Sequence, residues 1–210
     1  RIYFKKPGKD DYHSEKSYRP ISLTDMIGKL YERILYNRLI HHFESTNFFD
    51  GKNVFAYQKG KSTSHAILEL VEDMHNAIHN DQIGAAIIAD LEGAFDATWR
   101  TGIIYKLNQA GITNHMLLAC HSFLTNRKSR NLVNQHVGQW LDTEHGVPQG
   151  SLLSVIFFTI FTCDLTSQTT NTPANAKESK YADDLFLWKT STNTTTLQTQ
   201  LTTACSNLKG

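Results

Sequence analysis

The chain has 210 residues, 40% of them hydrophobic, and a formal net charge of +1 at pH 7, which is enough apolar material for one large or two small globular domains. No stretch approaches the roughly 18 consecutive apolar residues of a membrane-spanning helix, and three widely spaced cysteines without metal-ligand spacing argue against a disulfide framework or a zinc module. We therefore expect a soluble intracellular protein with reduced thiols.

The charges are unevenly distributed along the chain. Residues 1–61 contain 12 Lys and Arg against 7 Asp and Glu, whereas the remainder contains 9 against 13. A basic N-terminal segment suits phosphate binding, and an acidic remainder would repel phosphates unless cations lie there. Chance variation in a solvated surface is the alternative interpretation.

Two helices are predicted in the first half of the chain, after a polar loop or short strand over residues 1–20. The first is expected to begin at Thr24 as N-cap, and its apolar residues recur at helical spacing: Ile27, Leu30, Ile34, Leu35, Leu39 and Phe43. A Gly-, Lys- and Ser-rich loop spans residues 50–64. The second helix has an apolar face formed by Ile67, Leu70, Val71, Met74 and Ile78.

The second half mixes strands and helices. Residues 85–89 form a short apolar run that predicts a strand buried on both faces and ending at Asp90. Further elements are predicted as follows: helices over 99–109 and 115–125, two strands within 130–145, a turn at 146–151, a helix over 152–165, a loop over 166–179, a hairpin tip within 181–188, and a final helix carrying Leu197, Leu201, Ala204 and Leu208. This order predicts an α+β architecture.

Three aspartates stand out in these elements. Asp90 ends the predicted strand, and Asp183 and Asp184 are adjacent in the predicted hairpin tip. If the hairpin lay beside that strand in one sheet, the three acids could meet and hold magnesium, which prefers carboxylate oxygens. For an isolated Asp-Asp pair, a solvated turn is the commoner interpretation.

Three motifs in a fixed order point to a known family. They are Asp90-Leu91-Glu92-Gly93-Ala94-Phe95-Asp96, Gly146-Val147-Pro148-Gln149-Gly150-Ser151 and Tyr181-Ala182-Asp183-Asp184. Together with residues 18–23 and 56–66, they resemble the reverse transcriptases of non-LTR retrotransposons (LINE or jockey-like elements). The resemblance implies a right-hand polymerase with a fingers-like segment over 1–83 and a palm over 84–210, and an antiparallel palm sheet packed on helices. These 210 residues contain no sequence that resembles the family's thumb, so the thumb is expected to be absent from them.

The resemblance also implies an activity and a metal centre. Asp90 and Asp183 match the metal-binding aspartates of the family, Asp184 matches the third acid, and the carbonyl of Leu91 is an expected extra ligand. These residues would hold two Mg²⁺ ions, with Mn²⁺ as a substitute, for RNA-directed DNA synthesis.

Further residues match the family's substrate contacts. Phe95 matches the steric gate that rejects a 2′-hydroxyl, Gln149 and Gly150 match positions near the template and the nascent base pair, and Arg19 matches a triphosphate-binding arginine. Lys59 and Lys61 are expected to assist Arg19. Asp96 is expected to cap the following helix or to pair with a base.

The implied partners are an RNA template, a DNA primer and deoxynucleoside triphosphates, without a membrane. The rest of a retrotransposon polyprotein, including an endonuclease and a thumb, is expected in a nuclear and cytoplasmic full-length protein. Gln58 stands where family members usually have arginine, which leaves an inactive remnant that only binds nucleic acid as one alternative. Another two-metal enzyme, such as an RNA-dependent RNA polymerase or a nuclease, is a second.

Overall fold

The computed structural model describes residues 1–91, 93–165 and 176–207, apart from the side chains of Cys205 and Asn207. Two compact units are present: Arg1–Thr46 with Gly93–Phe158, and Asn47–Glu92 with Thr159–Gly210. Each unit is therefore built from two separate stretches of chain. The assignment of residues 1–83 to fingers and 84–210 to palm stays a prediction.

Helices and strands are mixed along the chain, as predicted. The elements of the first half are β1 (Ile2–Lys5), β2 (Tyr18–Ile21), α1 (Met26–Ser45), α2 (Thr63–His79), β3 (Ile83–Asp90), α3 (Ala94–Ala97), α4 (Arg100–Gln109) and α5 (Asn114–Leu124). The others are β4 (Lys128–Ser129), β5 (Leu132–Val133), β6 (His136–Val137), β7 (Leu141–Asp142), α6 (Leu152–Thr162), β8 (Lys177–Tyr181), β9 (Asp184–Ser191) and α7 (Thr194–Asn207).

In the first unit, α1 buries only part of its apolar face. Its N-cap is Asp25, one residue after the predicted Thr24, because the Asp25 carboxylate accepts a hydrogen bond from the Gly28 amide at 2.6 Å. Leu35, Leu39 and Phe43 are buried, whereas Ile27, Leu30 and Ile34 are exposed. The predicted helix is confirmed, but its apolar face enters the core only in the C-terminal half.

Four two-residue strands lie over residues 128–142, and three of them, β5, β6 and β7, fall within residues 130–145, where two were predicted. β4 pairs with β7, and β5 pairs with β6 through a two-residue turn in which Asn134 and Gln135 both have positive φ. Positive φ at both turn positions matches the right-handed twist of a tight hairpin. We call β4 to β7, residues 128–142, the ribbon.

The second unit contains a three-stranded antiparallel sheet in the order β3-β9-β8. β3 is an edge strand of this sheet. The prediction that it is buried on both faces was wrong, because Ile88 is 68% exposed. Ile87 and Ala89 pack against Leu185, Leu187 and Ala204, which lie in β9 and α7. The apolar run of β3 thus supplies one packed face, whereas Ile88 on the other face lies in solvent.

Two other predictions need correction or lie outside the described residues. β8 begins at Lys177, so the loop predicted over 166–179 was wrong at its end, and residues 166–175 lie outside the described part. Leu208 of the predicted final helix also lies outside it. In the described residues, no helix is both long and apolar enough to cross a membrane.

A cluster of hydrogen bonds and ion pairs connects α2 to β8 and β9 of the sheet. Asp73 of α2 accepts a hydrogen bond from the indole of the buried Trp188 at 2.7 Å and pairs with Lys177 at 2.9 Å, and Lys177 also pairs with Glu69 at 3.0 Å. Burial alone raises the pKa of Asp73, but the hydrogen bonds from Trp188 and Lys177 outweigh it and lower the pKa overall. The ionised carboxylate is therefore the stabilising form.

Asp73→Ala is expected to lower the free energy of unfolding by about 2 kcal/mol at pH 7, because the buried indole N–H of Trp188 loses its partner. Glu69→Ala is the control, since it removes only an exposed ion pair worth about 0.5 kcal/mol or less. Denaturant unfolding measures both.

The same cluster predicts a pH dependence. Since the pKa of Asp73 is lower in the folded than in the unfolded protein, its stabilisation is present above the unfolded value and lost as pH falls through the folded value. The difference between wild type and Asp73→Asn should therefore shrink below about pH 4. Equal losses for Asp73→Ala and Glu69→Ala at pH 7 would contradict this account.

Candidate active site

The predicted acids lie at one end of the sheet in the second unit. Asp90, the last residue of β3, is paired in register with Asp184, the first residue of β9. Directly opposed residues of antiparallel strands lie on the same face, with Cβ atoms about 5 Å apart. The hairpin therefore lies beside the strand in one sheet, which is the arrangement that the sequence required for the acids to meet.

Asp183 lies in the turn that precedes Asp184. β8 and β9 are joined by the two residues Ala182 and Asp183, and Ala182 has a φ of +54°. The amide of Leu91 donates a hydrogen bond to the carbonyl of Asp183 at 3.1 Å. The turn is thus tied directly to the residue that follows Asp90.

The three acids repel one another electrostatically. Partial burial raises the pKa of Asp184, and the negative charges of Asp183 and Asp90 raise it further. A raised carboxyl pKa means that ionisation of Asp184 lowers stability as pH rises through that pKa. In residues 1–91, 93–165 and 176–207, no group of three His, Cys, Asp or Glu side chains could hold a metal ion as arranged.

Lys180 anchors the hairpin from inside the second unit, and sequence reasoning missed it. Its ammonium group is nearly buried and donates to the carboxylate of Glu178 at 2.7 Å and to the carbonyls of Lys52 and Cys163 at 3.1 and 3.2 Å. A buried lysine with three acceptors is satisfied and therefore holds these segments together. No motif in the sequence distinguishes it from a surface lysine.

The segment of residues 53–61 runs beside β8. Val54 forms a parallel bridge with Lys180, and the Phe55 amide donates to the Lys180 carbonyl at 2.9 Å. Burial raises the pKa of Tyr57, and the charge of Asp183 raises it further, followed by that of Tyr181. Tyr57, which the sequence analysis did not single out, is therefore within electrostatic reach of the acids.

The two predicted lysines of this segment differ in their surroundings. The Lys61 ammonium donates to the Val54 carbonyl at 3.1 Å and lies over the Phe55 ring, whereas Lys59 is exposed. Between Tyr57 and Lys59, the side-chain nitrogen of Gln58 is buried and has no hydrogen-bond partner among the residues that the structure describes. An unpaired buried amide is unfavourable, so position 58 is not optimised for stability.

In the first unit, the loop of residues 146–151 is held at both ends. The amides of Gly146 and Val147 donate to the carbonyls of Thr98 and Phe95 at 3.0 and 2.7 Å. At the other end, the Gln149 carbonyl accepts from the Ser22 amide at 2.7 Å. The loop conformation is thus fixed by backbone hydrogen bonds.

Two charged residues that sequence reasoning missed also hold this loop. The Arg100 guanidinium donates to the carbonyls of Gly146 and His145 at 2.6 and 2.7 Å. Glu32 of α1 is 2% exposed, and its carboxylate accepts from the Ser151 hydroxyl at 2.6 Å and the Leu152 amide at 3.0 Å. Glu32 therefore caps the beginning of α6 from another helix.

The predicted substrate-binding residues of the first unit occupy different settings. Phe95 is half-buried and stacks on Phe158 with ring centroids 4.9 Å apart, and Arg19 is exposed on β2. Gly150 has a φ of +104°, and an added Cβ would lie 3.1 Å from both the Ile21 side chain and the Ser22 carbonyl. The structure thus gives Phe95 a packing role and makes glycine the favoured residue at position 150.

The expected cap formed by Asp96 was wrong. Asp96 lies within α3, and the N-cap of α4 is Trp99, which forms no side-chain capping bond. The Asp96 carboxylate instead pairs with Arg1 at 3.5 Å.

Gly146→Ala is expected to lower the free energy of unfolding by about 3 kcal/mol, because Gly146 has a φ of +72° and an added Cβ would collide with the backbone of Asp96. Gly8→Ala is the matched control: its φ is +70°, nothing lies within 4 Å of the added Cβ, and only about 1–2 kcal/mol of backbone strain is expected. Equal losses in chemical denaturation would show that the loop does not pack closely on residues 95–98.

Comparison with known proteins defines the class. The model of the family "Reverse transcriptase (RNA-dependent DNA polymerase)" matches residues 4–209. Two solved telomerases from Candida tropicalis share the fold: the apo enzyme truncated from the C-terminal domain has a TM-score of 0.58 at 14% identity, and the enzyme in complex with the TWJ fragment of telomeric RNA has a TM-score of 0.60 at 12%. The alignments cover 83% and 88% of this chain and 36% and 32% of the telomerase chains. The chain belongs to the reverse transcriptase family.

Its curated relatives come from transposable elements. The chain is 30% identical over 185 residues to the "Probable RNA-directed DNA polymerase from transposon BS" of Drosophila melanogaster, and 29% identical over 194 residues to the RNA-directed DNA polymerase from mobile element jockey of Drosophila funebris. These alignments cover 87% and 91% of this chain but 20% and 21% of the relatives. The chain thus resembles the RNA-directed DNA polymerases of transposable elements and spans about a fifth of the length of these relatives.

Proposed function

We propose that this chain is the RNA-directed DNA polymerase core of a non-LTR retrotransposon and adds deoxynucleotides to a primer 3′-hydroxyl. The observation that carries the proposal is the register of Asp90 opposite Asp184, with Asp183 in the adjoining turn. Opposed carboxylates destabilise a sheet, so their presence at its end calls for a function. Family membership supports nucleotide transfer as that function.

The donor set fits a divalent cation. Mg²⁺ is usually held by one or two carboxylates together with substrate phosphates, so a ready three-carboxylate group is not required. The repulsion that raises the pKa of Asp184 would be relieved by a bound cation. We propose that Asp90, Asp183 and Asp184, with the carbonyl of Leu91, hold two Mg²⁺ ions, for which Mn²⁺ can substitute.

The bound ions would supply Lewis-acid chemistry for the transfer of the nucleotidyl group. In this reaction the primer 3′-hydroxyl gives its proton to solvent and its oxygen forms a bond to the α-phosphorus of the incoming nucleotide. The bond from that phosphorus to the oxygen bridging to the β-phosphate breaks, and pyrophosphate leaves. Arg19, Lys59 and Lys61 are proposed to bind the triphosphate, where their positive charges would neutralise the leaving group. The carboxylates of Asp90, Asp183 and Asp184 would hold these ions at the end of the sheet.

Sugar and template recognition are proposed for residues of the first unit. Phe95 would lie beneath the sugar and exclude a 2′-hydroxyl, and Gln149 and Gly150 would lie near the template and the nascent base pair. The hydrogen bonds of Arg100 and Glu32 support this proposal, because they fix the loop that carries Gln149 and Gly150. Arg100 and Glu32 are positioning residues in this account.

The remaining features of the proposal follow from family membership. The partners would be an RNA template, a DNA primer and deoxynucleoside triphosphates, with an endonuclease and a thumb elsewhere in the polyprotein. We propose a right-hand arrangement in which residues 1–83 contribute the fingers and 84–210 the palm. Copying RNA into chromosomal DNA would require presence in both cytoplasm and nucleus.

Primer extension on an RNA template with Mg²⁺ and deoxynucleotides tests the proposal, using residues 1–210 together with the flanking sequence of the full protein. Asp183→Ala is expected to reduce the extension rate at least about a hundredfold, because loss of a metal ligand removes several kcal/mol of transition-state stabilisation. Asp81→Asn is the matched control, since Asp81 is an exposed turn residue with positive φ before β3.

Extension by Asp81→Asn at the wild-type rate, together with its loss in Asp183→Ala, would establish the activity. Folded wild-type protein that binds primer-template but extends it no faster than Asp183→Ala would contradict the proposal. In that case Gln58→Arg is the informative next variant, because arginine is the usual family residue at this position.

A further inference from the structure

The first unit contains a cavity, apart from the residues of the proposed polymerase chemistry, that has the features of a nucleic-acid site. A cavity of about 320 Å³ lies between the ribbon and the residues that follow β2, and its walls include Leu23, Arg127, Lys128, Arg130, Val137 and Trp140. None of these residues is assigned a role in the proposed polymerase chemistry. The volume lies at the lower end of the range for small-ligand pockets, about 300–1,000 Å³.

The electrostatics of the cavity favour an anion. Among the described residues that line it, none is acidic and four are cationic: Arg1, Arg127, Lys128 and Arg130. Arg1 pairs with Asp96 at 3.5 Å. Lys128 pairs with Asp142 at 3.6 Å, but both side chains are more than half exposed, so this pair is weak and exchangeable. The cavity therefore presents positive charge that is poorly compensated from within.

Both guanidinium groups are oriented by aromatic rings. Arg130 lies over the Trp140 ring at 4.7 Å from its centroid, and Arg127 lies over the Phe123 ring at 4.7 Å. Stacking on an aromatic ring fixes a guanidinium group without neutralising its charge. Arg127 also donates through Nη1 to the Phe123 carbonyl at 3.0 Å, and the remaining N–H donors of the two groups are suited to phosphate oxygens.

The cavity wall also offers an aromatic face. Trp140 is 60% exposed although one side of its ring system is stacked with Arg130, and Val137 and Leu23 beside it are 56% and 66% exposed. Exposed tryptophan next to cations is the combination on which unpaired bases stack while the backbone is held electrostatically. A base within a duplex has both faces covered by its neighbours and is not available for such stacking.

We propose that this cavity binds single-stranded nucleic acid, with a base stacked on Trp140 and the adjoining phosphates held by Arg127, Lys128 and Arg130. The inference rests on the proposed function only in identifying the strand as template RNA. The binding itself requires no polymerisation, so it is expected to persist in Asp183→Ala.

Fluorescence anisotropy with a labelled 12-nucleotide single-stranded RNA measures the binding, using the 210-residue chain at a fixed salt concentration. Trp140→Ala is expected to weaken binding about fivefold or more, which corresponds to the loss of one base–aromatic stack. Trp140→Phe should retain most of the affinity. The matched control is Trp99→Ala, because Trp99 is 59% exposed in the same unit, does not line the cavity, and should leave affinity within about twofold.

Two further measurements keep the inference testable if Trp140→Ala folds poorly. In Trp99→Phe only Trp140 and the buried Trp188 remain, so fluorescence quenching by the RNA reports on Trp140. Arg130→Gln should reduce the slope of log K against log salt by about 0.7, the value for one phosphate contact on a single strand.

Any of three results would overturn the inference. The affinity of Trp140→Ala for the RNA could equal that of wild type, the RNA could fail to quench the fluorescence of Trp99→Phe, or a blunt duplex of the same length could compete as well as the single strand. Loss of primer extension with retained RNA binding and quenching would instead overturn only the proposed polymerase activity. The two proposals can therefore fail separately.

Discussion

The opposition of two carboxylates across neighbouring strands is the constraint around which the second unit is built. Asp90 and Asp184 are paired in register at the end of β3 and β9, and Asp183 adds a third charge in the adjoining turn. Like charges opposed on a sheet lower its stability, so the interactions along the rest of these strands must hold the acids in place. A bound cation would convert the same arrangement from repulsive to attractive.

The interactions that oppose this repulsion lie on both faces of the sheet and beside it. Leu185 and Leu187 pack with Ala204 of α7, while Asp73 fastens α2 to Trp188. Lys180 joins β8 to two neighbouring segments through its buried ammonium group. The acids therefore lie at the end of a sheet that is held by α7, by α2 and by the hydrogen bonds of Lys180. These contacts limit the separation of the acids and would preorganise them for ligand binding.

Sequence patterns predicted where helices and strands lie along the chain better than they predicted which residues are buried and what those residues contact. The hairpin at Asp183 and Asp184 followed from its β-prone flanks, whereas its position beside β3 was only the condition under which the acids could meet. The burial of β3 was predicted wrongly, because an apolar run does not reveal whether other elements cover both faces of its strand. Glu32 and Lys180 were missed because the sequence does not distinguish a buried charge from a surface charge. Each has a partner more than 100 residues away in the chain, Ser151 for Glu32 and Lys52 for Lys180, which only the fold reveals.

Measurement of Mn²⁺ binding tests the central claim most directly. The protein is titrated with Mn²⁺ in the presence of annealed primer and RNA template, and the EPR signal of the free ion reports how much is bound. The account predicts that wild-type protein and Asp81→Asn bind Mn²⁺ alike, and that Asp90→Asn and Asp184→Asn bind it at least about tenfold more weakly because each loses a carboxylate ligand. Equal Mn²⁺ binding by all four proteins would contradict the claim that the opposed carboxylates form a metal site.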